Sequence, residues 1–299
     1  MSSSASAALR IVATGPLALI QDAGRRGHAD IGVSPSGAAD RGAYALSNRL
    51  LGNLETAAAI EVLLGGLVVE PVGRGLWLCV TGAPCPVRSD GRGVGSHTAF
   101  FAPAGTTVEL GSPASGLRSY LGVRGGVAVD PVMGSRSRDT LSGLGPGPLE
   151  EGHLLPVGAT PESALAPVDV APRLTRSDHA EGVRVVPGPR EDWFADPQRL
   201  VTQRWVVSER SDRVGLRLTA ADSAGLERTA QGELASEGVW RGAIQVPPSG
   251  EPVVFGPDHP VTGGYPVIGV VRDADLDRLA QLRPGAYVRF TWAGGSARP

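Results

Sequence analysis

Lysine is absent from this 299-residue chain, and all 28 basic side chains are arginine. A phosphate-binding loop of the Walker A type requires its lysine, so a nucleotide site of that type is excluded. Schiff-base and pyridoxal chemistry need a lysine amine and are excluded as well. Biotin or lipoate cannot be attached to this chain for the same reason. Any phosphate or carboxylate must be bound by arginine, whose planar fork suits bidentate pairing, or by backbone N–H groups.

Cysteine and histidine are also scarce, with two and five residues. The cysteines lack the spacing of a metal site, and two are too few for a disulfide framework. No two histidines stand at the spacing typical of metal ligands. Cys79 lies in the apolar run Leu76–Val80 and is expected to be a small buried hydrophobic residue.

Long hydrophobic runs and basic blocks are missing too. No segment approaches the ~20 consecutive apolar residues of a membrane-spanning helix. The N-terminus lacks the basic start and long apolar centre of a signal peptide. The net charge is −2, and no cluster of basic residues indicates nucleic-acid binding. These features predict a cytoplasmic protein with no membrane or nucleic-acid partner.

Glycine and proline are abundant instead, with 42 and 25 residues, while 41% of the chain is hydrophobic. Short Val/Ile/Leu runs separated by turn residues predict a mainly β protein with a packed core. A chain of this length suggests about two domains of ~100–200 residues each. We assign residues 1–160 to an N-terminal domain, 161–182 to a Pro/Ala-rich linker and 183–299 to a C-terminal domain.

Helix is predicted in only two longer segments. Asp40 is a suitable N-cap for a helix over residues 41–51, which Gly52 ends. A second helix is predicted over residues 273–282, with Pro284-Gly285 as its stop. The last strand is predicted at Tyr287–Trp292.

The stretch from Ser236 to Val271 carries the densest set of polar side chains in loops between apolar runs. Gln245 interrupts one apolar run, and a Pro-Ser-Gly turn follows it. A second loop contains Asp258 and His259 and continues into Thr262-Gly263-Gly264-Tyr265. Loops held by rigid strands are common places for binding groups. Two ordinary turns with incidental polar residues account for the same pattern, since no catalytic motif is spelled out.

A short internal similarity links the two halves of the chain. Val33–Gly37 resembles Val246–Gly250, and each contains a Pro-Ser-Gly turn. Turns reuse these residue types, so five positions carry little weight alone. If the similarity reflects duplication, Ser36, Gly37 and nearby Asp40 correspond to a second binding loop beside the one that contains Ser249.

Ordered motifs along nearly the whole chain resemble the biotin-dependent carboxyltransferase-like family. That family includes allophanate hydrolase subunit 2, the C subunit of 5-oxoprolinase and the Kip-type antagonist of a sporulation kinase inhibitor. The motifs that carry the resemblance are Leu19–Arg25, Gly32–Val33, Ser36–Asp40, Tyr120–Gly126, Met133–Ser137, Ser211–Gly215, Ser236–Gly238, Gly242–Pro247, Thr262–Pro266 and Ala280–Gly285.

The resemblance implies a fold of cyclophilin-like β-barrels, two in number, with a few short helices. It also implies a hetero-oligomer with companion subunits A and B, of which B is of the allophanate hydrolase subunit 1 type. The implied activity is ATP-dependent opening of 5-oxoproline to L-glutamate, with ATP and Mg²⁺ held by the complex rather than necessarily by this chain.

Residue types suggest roles within such a site. Backbone N–H groups of Gly263 and Gly264 are candidate donors to a developing oxyanion. Gln245 and Tyr265 are candidate orienting groups. The remaining candidates are Asp258 and Glu237 as carboxylates for base work or Mg²⁺, Arg213 as a phosphate-facing cation, and Thr262, Ser249, Ser36, Gly37 and Asp40 as substrate or phosphate ligands. No residue is assigned as a resident metal ligand.

Two other functions remain open. In urea amidolyase the equivalent domain transfers a carboxyl group from carboxybiotin to urea, and here biotin would have to arrive on another chain. A regulatory protein that sequesters its companion subunit is the third possibility. Neighbouring genes for a biotin carboxylase and a carrier would favour carboxyl transfer, and genes for subunits A and B would favour the oxoprolinase.

Overall fold

The computed structural model describes residues 7–167, 170–172, 179–221, 224–229 and 234–294. The chain divides into two compact units. The first contains Met1–Arg25, Ser36–Asp139 and Gly143–Thr175, and the second contains Arg26–Pro35, Thr140–Ser142 and Arg176–Pro299. The predicted linker, 161–182, includes residues 168–169 and 173–178, which lie outside the described residues. Its last residues belong to a strand that begins at Ala180.

The first unit consists of antiparallel strands with one α-helix in its described part. Its elements are β1 (Ala8–Thr14), β2 (Leu17–Gln21), α1 (Arg41–Leu51), β3 (Ala59–Leu63), β4 (Leu67–Val72), β5 (Leu76–Gly82), β6 (Val87–Ser89), β7 (Arg92–Val94), β8 (Ala99–Ala102), β9 (Val108–Leu110), β10 (Arg118–Val123) and β11 (Leu154–Pro156). They form a six-stranded sheet in the order β11-β1-β4-β9-β6-β7 and a five-stranded sheet in the order β2-β3-β10-β5-β8.

Both sheets contribute side chains to one hydrophobic core. Leu9, Ile11 and Val69 come from the six-stranded sheet, and Ile60 and Leu78 from the other, all without measurable exposure. Strand residues alternate between faces, so the buried positions of β1 and β4 recur at every second residue. Each such side chain stabilises the fold by about 1.5–3 kcal/mol on burial.

Helix α1 begins and ends where the sequence predicts. The Asp40 side chain accepts a hydrogen bond from Ala43 N at 3.0 Å, and Gly52 ends the helix at φ 64°. Tyr44 packs against Tyr120 of β10. The Tyr120 hydroxyl donates to the Glu61 carboxylate at 2.7 Å and accepts from Asp40 N at 2.8 Å. Burial raises the pKa of Tyr120 well above its usual value, so it remains a donor.

Asp40 is therefore a buried helix cap, with no exposed surface. We expect Asp40→Ala to lower the free energy of unfolding by about 1–2 kcal/mol, because the first helical N–H groups lose their acceptor. Asp40→Ser retains a capping oxygen and is the matched control. Denaturant unfolding measures both. Equal stability of the alanine and serine variants would contradict the capping role.

The second unit is built around a closed seven-stranded barrel. Its elements are 3₁₀ turns at Ala29–Ile31 and Glu191–Trp193, with β12 (Ala180–Pro187), α2 (Arg199–Thr202), β13 (Trp205–Val207), β14 (Gly215–Ala220), β15 (Glu237–Gly238), β16 (Ala243–Gln245), β17 (Val253–Phe255), β18 (Thr262–Gly263), β19 (Val267–Val271), α3 (Asp273–Leu279) and β20 (Tyr287–Trp292). The barrel order is β12-β19-β16-β17-β14-β13-β20. Strands β12 and β20 close it in parallel, and the other barrel pairs are antiparallel.

The barrel interior is filled by side chains. Trp205, Ile244 and Phe290 are completely buried there, and the Trp205 indole N–H donates to the Leu200 carbonyl at 2.9 Å. Outside the barrel, β15 and β18 form a separate two-stranded ladder. This ladder carries Glu237 opposite Gly263 and Gly238 opposite Thr262.

The mainly β fold with a few short helices is confirmed, and barrel closure occurs in the second unit. In the first unit the described strands form the two sheets instead. Helix α3 ends at Leu279, three residues before the predicted end, because Gln281 and Leu282 donate to carbonyls three residues back rather than four. Cys79 is buried as predicted, and burial raises the pKa of its thiol to about 12. Within the described ranges, no helix has the length and hydropathy needed to cross a bilayer.

Candidate active site

A group of predicted site residues converges in the second unit beside the β15–β18 ladder. The side-chain amide of Gln245, on β16, donates from Nε2 to the Tyr265 carbonyl at 2.8 Å. Gly263 lies against the same amide, because a Cβ built on Gly263 would stand 2.5 Å from Gln245 Nε2. We call Arg190, Glu237, Gln245, Gly263 and Tyr265 the Gln245 cluster. In this cluster the buried Gln245 amide lies so close to the Gly263 backbone that only glycine fits there.

Glu237 enters the cluster through the ladder, where it pairs with Gly263. Its carboxylate forms a two-point ion pair with Arg190, and both side chains are about one-third exposed. The Arg190 guanidinium lowers the pKa of Glu237, so the carboxylate is ionised at neutral pH. The backbone N–H of Arg190 donates to the Val267 carbonyl at 3.3 Å. Val267 is also the register partner of Gln245.

Arg190 is absent from the sequence predictions. It follows a Gly-Pro turn after β12 and lies 47 residues from its partner Glu237. The only signal in the sequence was the missing lysine, which makes every arginine a candidate ligand for a carboxylate.

The exposed side of the cluster is formed by the loop after β18. Tyr265 is 46% exposed, and Thr262 and Gly264 are exposed as well. The nearest group to a Cβ built on Gly264 is the Leu234 carbonyl at 3.5 Å, so this backbone is open. The two predicted backbone donors therefore lie in different surroundings. Gly263 is paired with Glu237 in the ladder, and Gly264 lies just beyond the end of β18.

Asp258 corrects an expectation. A carboxylate in a polar loop is expected to lie at the surface, yet Asp258 has no exposed area. Arg213, itself only 4% exposed, binds it through Nε at 2.8 Å and through a terminal nitrogen at 3.0 Å. Thr140 adds hydrogen bonds from its N–H and its hydroxyl, at 2.9 and 2.7 Å. Asp258 and Arg213 therefore form a buried ion pair within the second unit, and Thr140 donates to the same carboxylate.

The hydrogen bonds of Ser249 are separate from those of the Gln245 cluster. It is exposed in the turn after Val246, and its hydroxyl accepts from the Glu251 N–H at 3.4 Å. Among the described residues, no hydrogen bond joins Ser249 to a member of the cluster.

Ser36, Gly37 and Asp40 belong to the first unit. Ser36 has φ 53°, and its hydroxyl donates to the Arg138 carbonyl at 3.1 Å. Gly37 has φ 94° and lies so close to Gly24 that a Cβ would meet its nitrogen at 3.1 Å. With Asp40 as a helix cap, each of the three has a local structural role.

The carboxylate of Asp22, in the Leu19–Arg25 motif, contacts the Met133–Ser137 motif. Asp22 accepts hydrogen bonds from the Ser135 and Ser137 hydroxyls at 2.6 Å each and from Arg136 N at 2.6 Å. Arg136 Nε donates to the Val129 carbonyl at 2.6 Å, so part of its guanidinium is used within the fold. The Asp22 carboxylate therefore joins the Leu19–Arg25 motif to the Met133–Ser137 motif.

A cleft of about 460 Å³ opens in the first unit. Its lining includes Cys85, Arg88, Ser96 and Ser112. None of the predicted site residues lines this cleft.

Comparison with known proteins agrees with the motif resemblance. The family described as carboxyltransferase domain, subdomain A and B, matches residues 31–292. The chain is 37% identical to the C subunit of 5-oxoprolinase from Escherichia coli (strain K12), over 94% of this chain and 90% of that protein. It is 33% identical to the C subunit of the Haemophilus influenzae 5-oxoprolinase, over 91% of this chain and 87% of that protein.

Among solved structures, the urea carboxylase of Kluyveromyces lactis superimposes with a TM-score of 0.86 and 25% identity. The match covers 95% of this chain and 27% of that chain, so this chain spans about a quarter of the longer protein. The match over residues 31–292 covers most of the 299 residues. The chain therefore belongs to the carboxyltransferase domain family, subdomains A and B.

Proposed function

We propose that this chain is the C subunit of an ATP-dependent 5-oxoprolinase, which opens 5-oxoproline to L-glutamate with companion subunits A and B in the cytoplasm. The observation that carries the proposal is the pair of relatives named as C subunits of 5-oxoprolinase, which match this chain over nearly its whole length. The Gln245 cluster supports it, because it offers an amide, exposed backbone and a carboxylate in one place.

The chemistry asked of the site is hydrolysis of a stable ring amide. The oxygen of water forms a bond to the ring carbonyl carbon, the ring C–N bond breaks, and the nitrogen leaves with a proton. Gln245 and the backbone of the exposed residue Gly264 are suited to position the ring amide and stabilise charge on its oxygen. Glu237, ionised and partly exposed, is suited to accept the proton from water.

ATP and Mg²⁺ do not fit the residues first considered for them. Asp258 and Arg213 neutralise each other in the interior, and Glu237 is paired with Arg190. The described residues contain no group of three or more His, Cys, Asp or Glu side chains placed to hold a metal ion. We therefore assign nucleotide and metal binding to the companion subunits and derive no step through them on this chain.

The test is reconstitution. The chain alone is expected to release no glutamate from 5-oxoproline, and it should co-elute with the B subunit in gel filtration. Mixed with subunits A and B and ATP, it should support glutamate formation, measured by amino-acid analysis. Turnover by the single chain would contradict the proposal, as would an A–B mixture whose activity does not depend on this chain.

Carboxyl transfer is the second candidate, favoured by the likeness to urea carboxylase. Because the chain has no lysine, carboxybiotin would have to reach the site on another chain. Urea-dependent consumption of bicarbonate with a biotinylated carrier, and no glutamate from 5-oxoproline, would favour this candidate. Binding to the B subunit without either reaction would favour a regulatory protein.

A further inference from the structure

The Arg190–Glu237 pair has features of an exchangeable anion site. Both side chains are partly exposed, at 34% and 31%, so water screens their attraction. Exposed ion pairs of this kind contribute little to stability. The buried Arg213–Asp258 pair differs, because exposures of 4% and 0% leave no route for another anion. A ligand carboxylate can therefore replace Glu237 on Arg190 at little cost.

The position of Arg190 makes such an exchange relevant to the substrate. Its backbone N–H donates to the Val267 carbonyl, and Val267 is the register partner of Gln245, so the backbones of Arg190 and Gln245 both lie beside the start of β19. Gly188 allows this segment to lie close to β19, because a Cβ at this position would lie 2.4 Å from the Val267 carbonyl oxygen. Glu237, the ion-pair partner of Arg190, is also the ladder partner of Gly263, and Gly263 lies against the Gln245 amide.

We propose that Arg190 binds the carboxylate of the substrate and so selects a lactam that carries an acid group. This inference rests on the proposed function and names the residue that gives that site its specificity. The planar fork of arginine matches a carboxylate in two parallel hydrogen bonds. Urea has no carboxylate and gains nothing from this contact. Binding of the acid releases Glu237 from its partner beside the ring amide, where it acts on water.

The assembled complex is assayed with 5-oxoproline, and 2-pyrrolidinone, the same ring without the carboxylate, is used as a competitive inhibitor. Arg190→Ala is expected to raise KM for 5-oxoproline about 10- to 100-fold, the size of losing hydrogen bonds to a charged group. The inhibition constant of 2-pyrrolidinone should stay within about threefold, because that ring makes no contact with the guanidinium. Arg190→Lys keeps the charge without the fork and should raise KM less.

Glu237→Gln separates the two members of the pair. It should lower kcat and leave KM unchanged or lower, because Glu237 no longer competes for Arg190. The matched control is Arg10→Ala, which removes a half-exposed arginine hydrogen-bonded to Glu70 at 3.2 Å in the first unit. It should change none of these constants.

A KM for 5-oxoproline that is unchanged in Arg190→Ala would overturn the inference. So would equal losses for 5-oxoproline and 2-pyrrolidinone, which indicate a disturbed fold rather than a lost carboxylate contact. If the unaltered complex forms no glutamate, the proposed function itself fails and the inference with it. The wild-type reaction therefore tells the two failures apart.

Discussion

Asp258→Ala is expected to destabilise the second unit by about 3–5 kcal/mol, because it removes the carboxylate that is paired with the buried Arg213 guanidinium. The Thr140 N–H and hydroxyl lose their acceptor in the same variant. The melting temperature should fall by roughly 10 °C, as measured by calorimetry or by circular dichroism. Any loss of activity then follows unfolding rather than a missing catalytic carboxylate.

A double variant provides the control for Asp258. Asp258→Leu combined with Arg213→Met removes both charges and keeps apolar volume, which is often neutral or stabilising for a buried pair. We expect it to recover part of the lost stability, with about 1–3 kcal/mol still missing because the Thr140 donors stay unpaired. An Asp258→Ala protein with the wild-type melting temperature and no activity would contradict the structural role and return Asp258 to the site.

Gly263→Ala is expected to reduce kcat/KM of the assembled complex about 10²-fold while changing stability little. The new Cβ would stand 2.5 Å from Gln245 Nε2, so the amide must move away from its position on the Tyr265 carbonyl. Amide displacement costs little folding energy because it involves the end of one side chain. It removes the geometry on which the proposed site depends.

Gly238→Ala is the matched control, because Gly238 lies in the same ladder, opposite Thr262. A Cβ on Gly238 meets nothing within 4 Å, and the backbone is not left-handed. Steady-state kinetics and melting curves on both variants separate site geometry from ladder stability. Equal activity of the two variants would remove the Gly263–Gln245 contact from the site.

Local signals in the sequence predicted local structure well. Helix α1 is confirmed at both ends because its cap, Asp40, and its stop, Gly52, are adjacent to it in the chain. The β20 strand is confirmed for a similar reason, since alternation of buried and exposed residues is visible within six positions. Both elements are determined by residues that are neighbours in the sequence, so the sequence pattern alone predicts them.

The burial of Asp258 could not be predicted because its partners are distant in sequence. Arg213 is 45 residues away and Thr140 is 118 residues away, so nothing around Asp258 indicates a buried pair. Arg190 was missed for the same reason. The convergence of Gln245, Gly263 and Glu237 was easier to predict, since all three lie within one stretch of alternating strands and loops.

The proposed site depends most on the Gln245 amide, so Gln245→Met tests the location of the site most directly. Methionine keeps the buried volume and removes the amide, and the buried Gln281→Met in the same unit is its control. In the complex with subunits A and B, we expect glutamate formation to fall about 10²-fold for Gln245→Met and to stay unchanged for Gln281→Met. Unchanged kcat/KM in a correctly folded and assembled Gln245→Met complex would show that the substrate binds elsewhere.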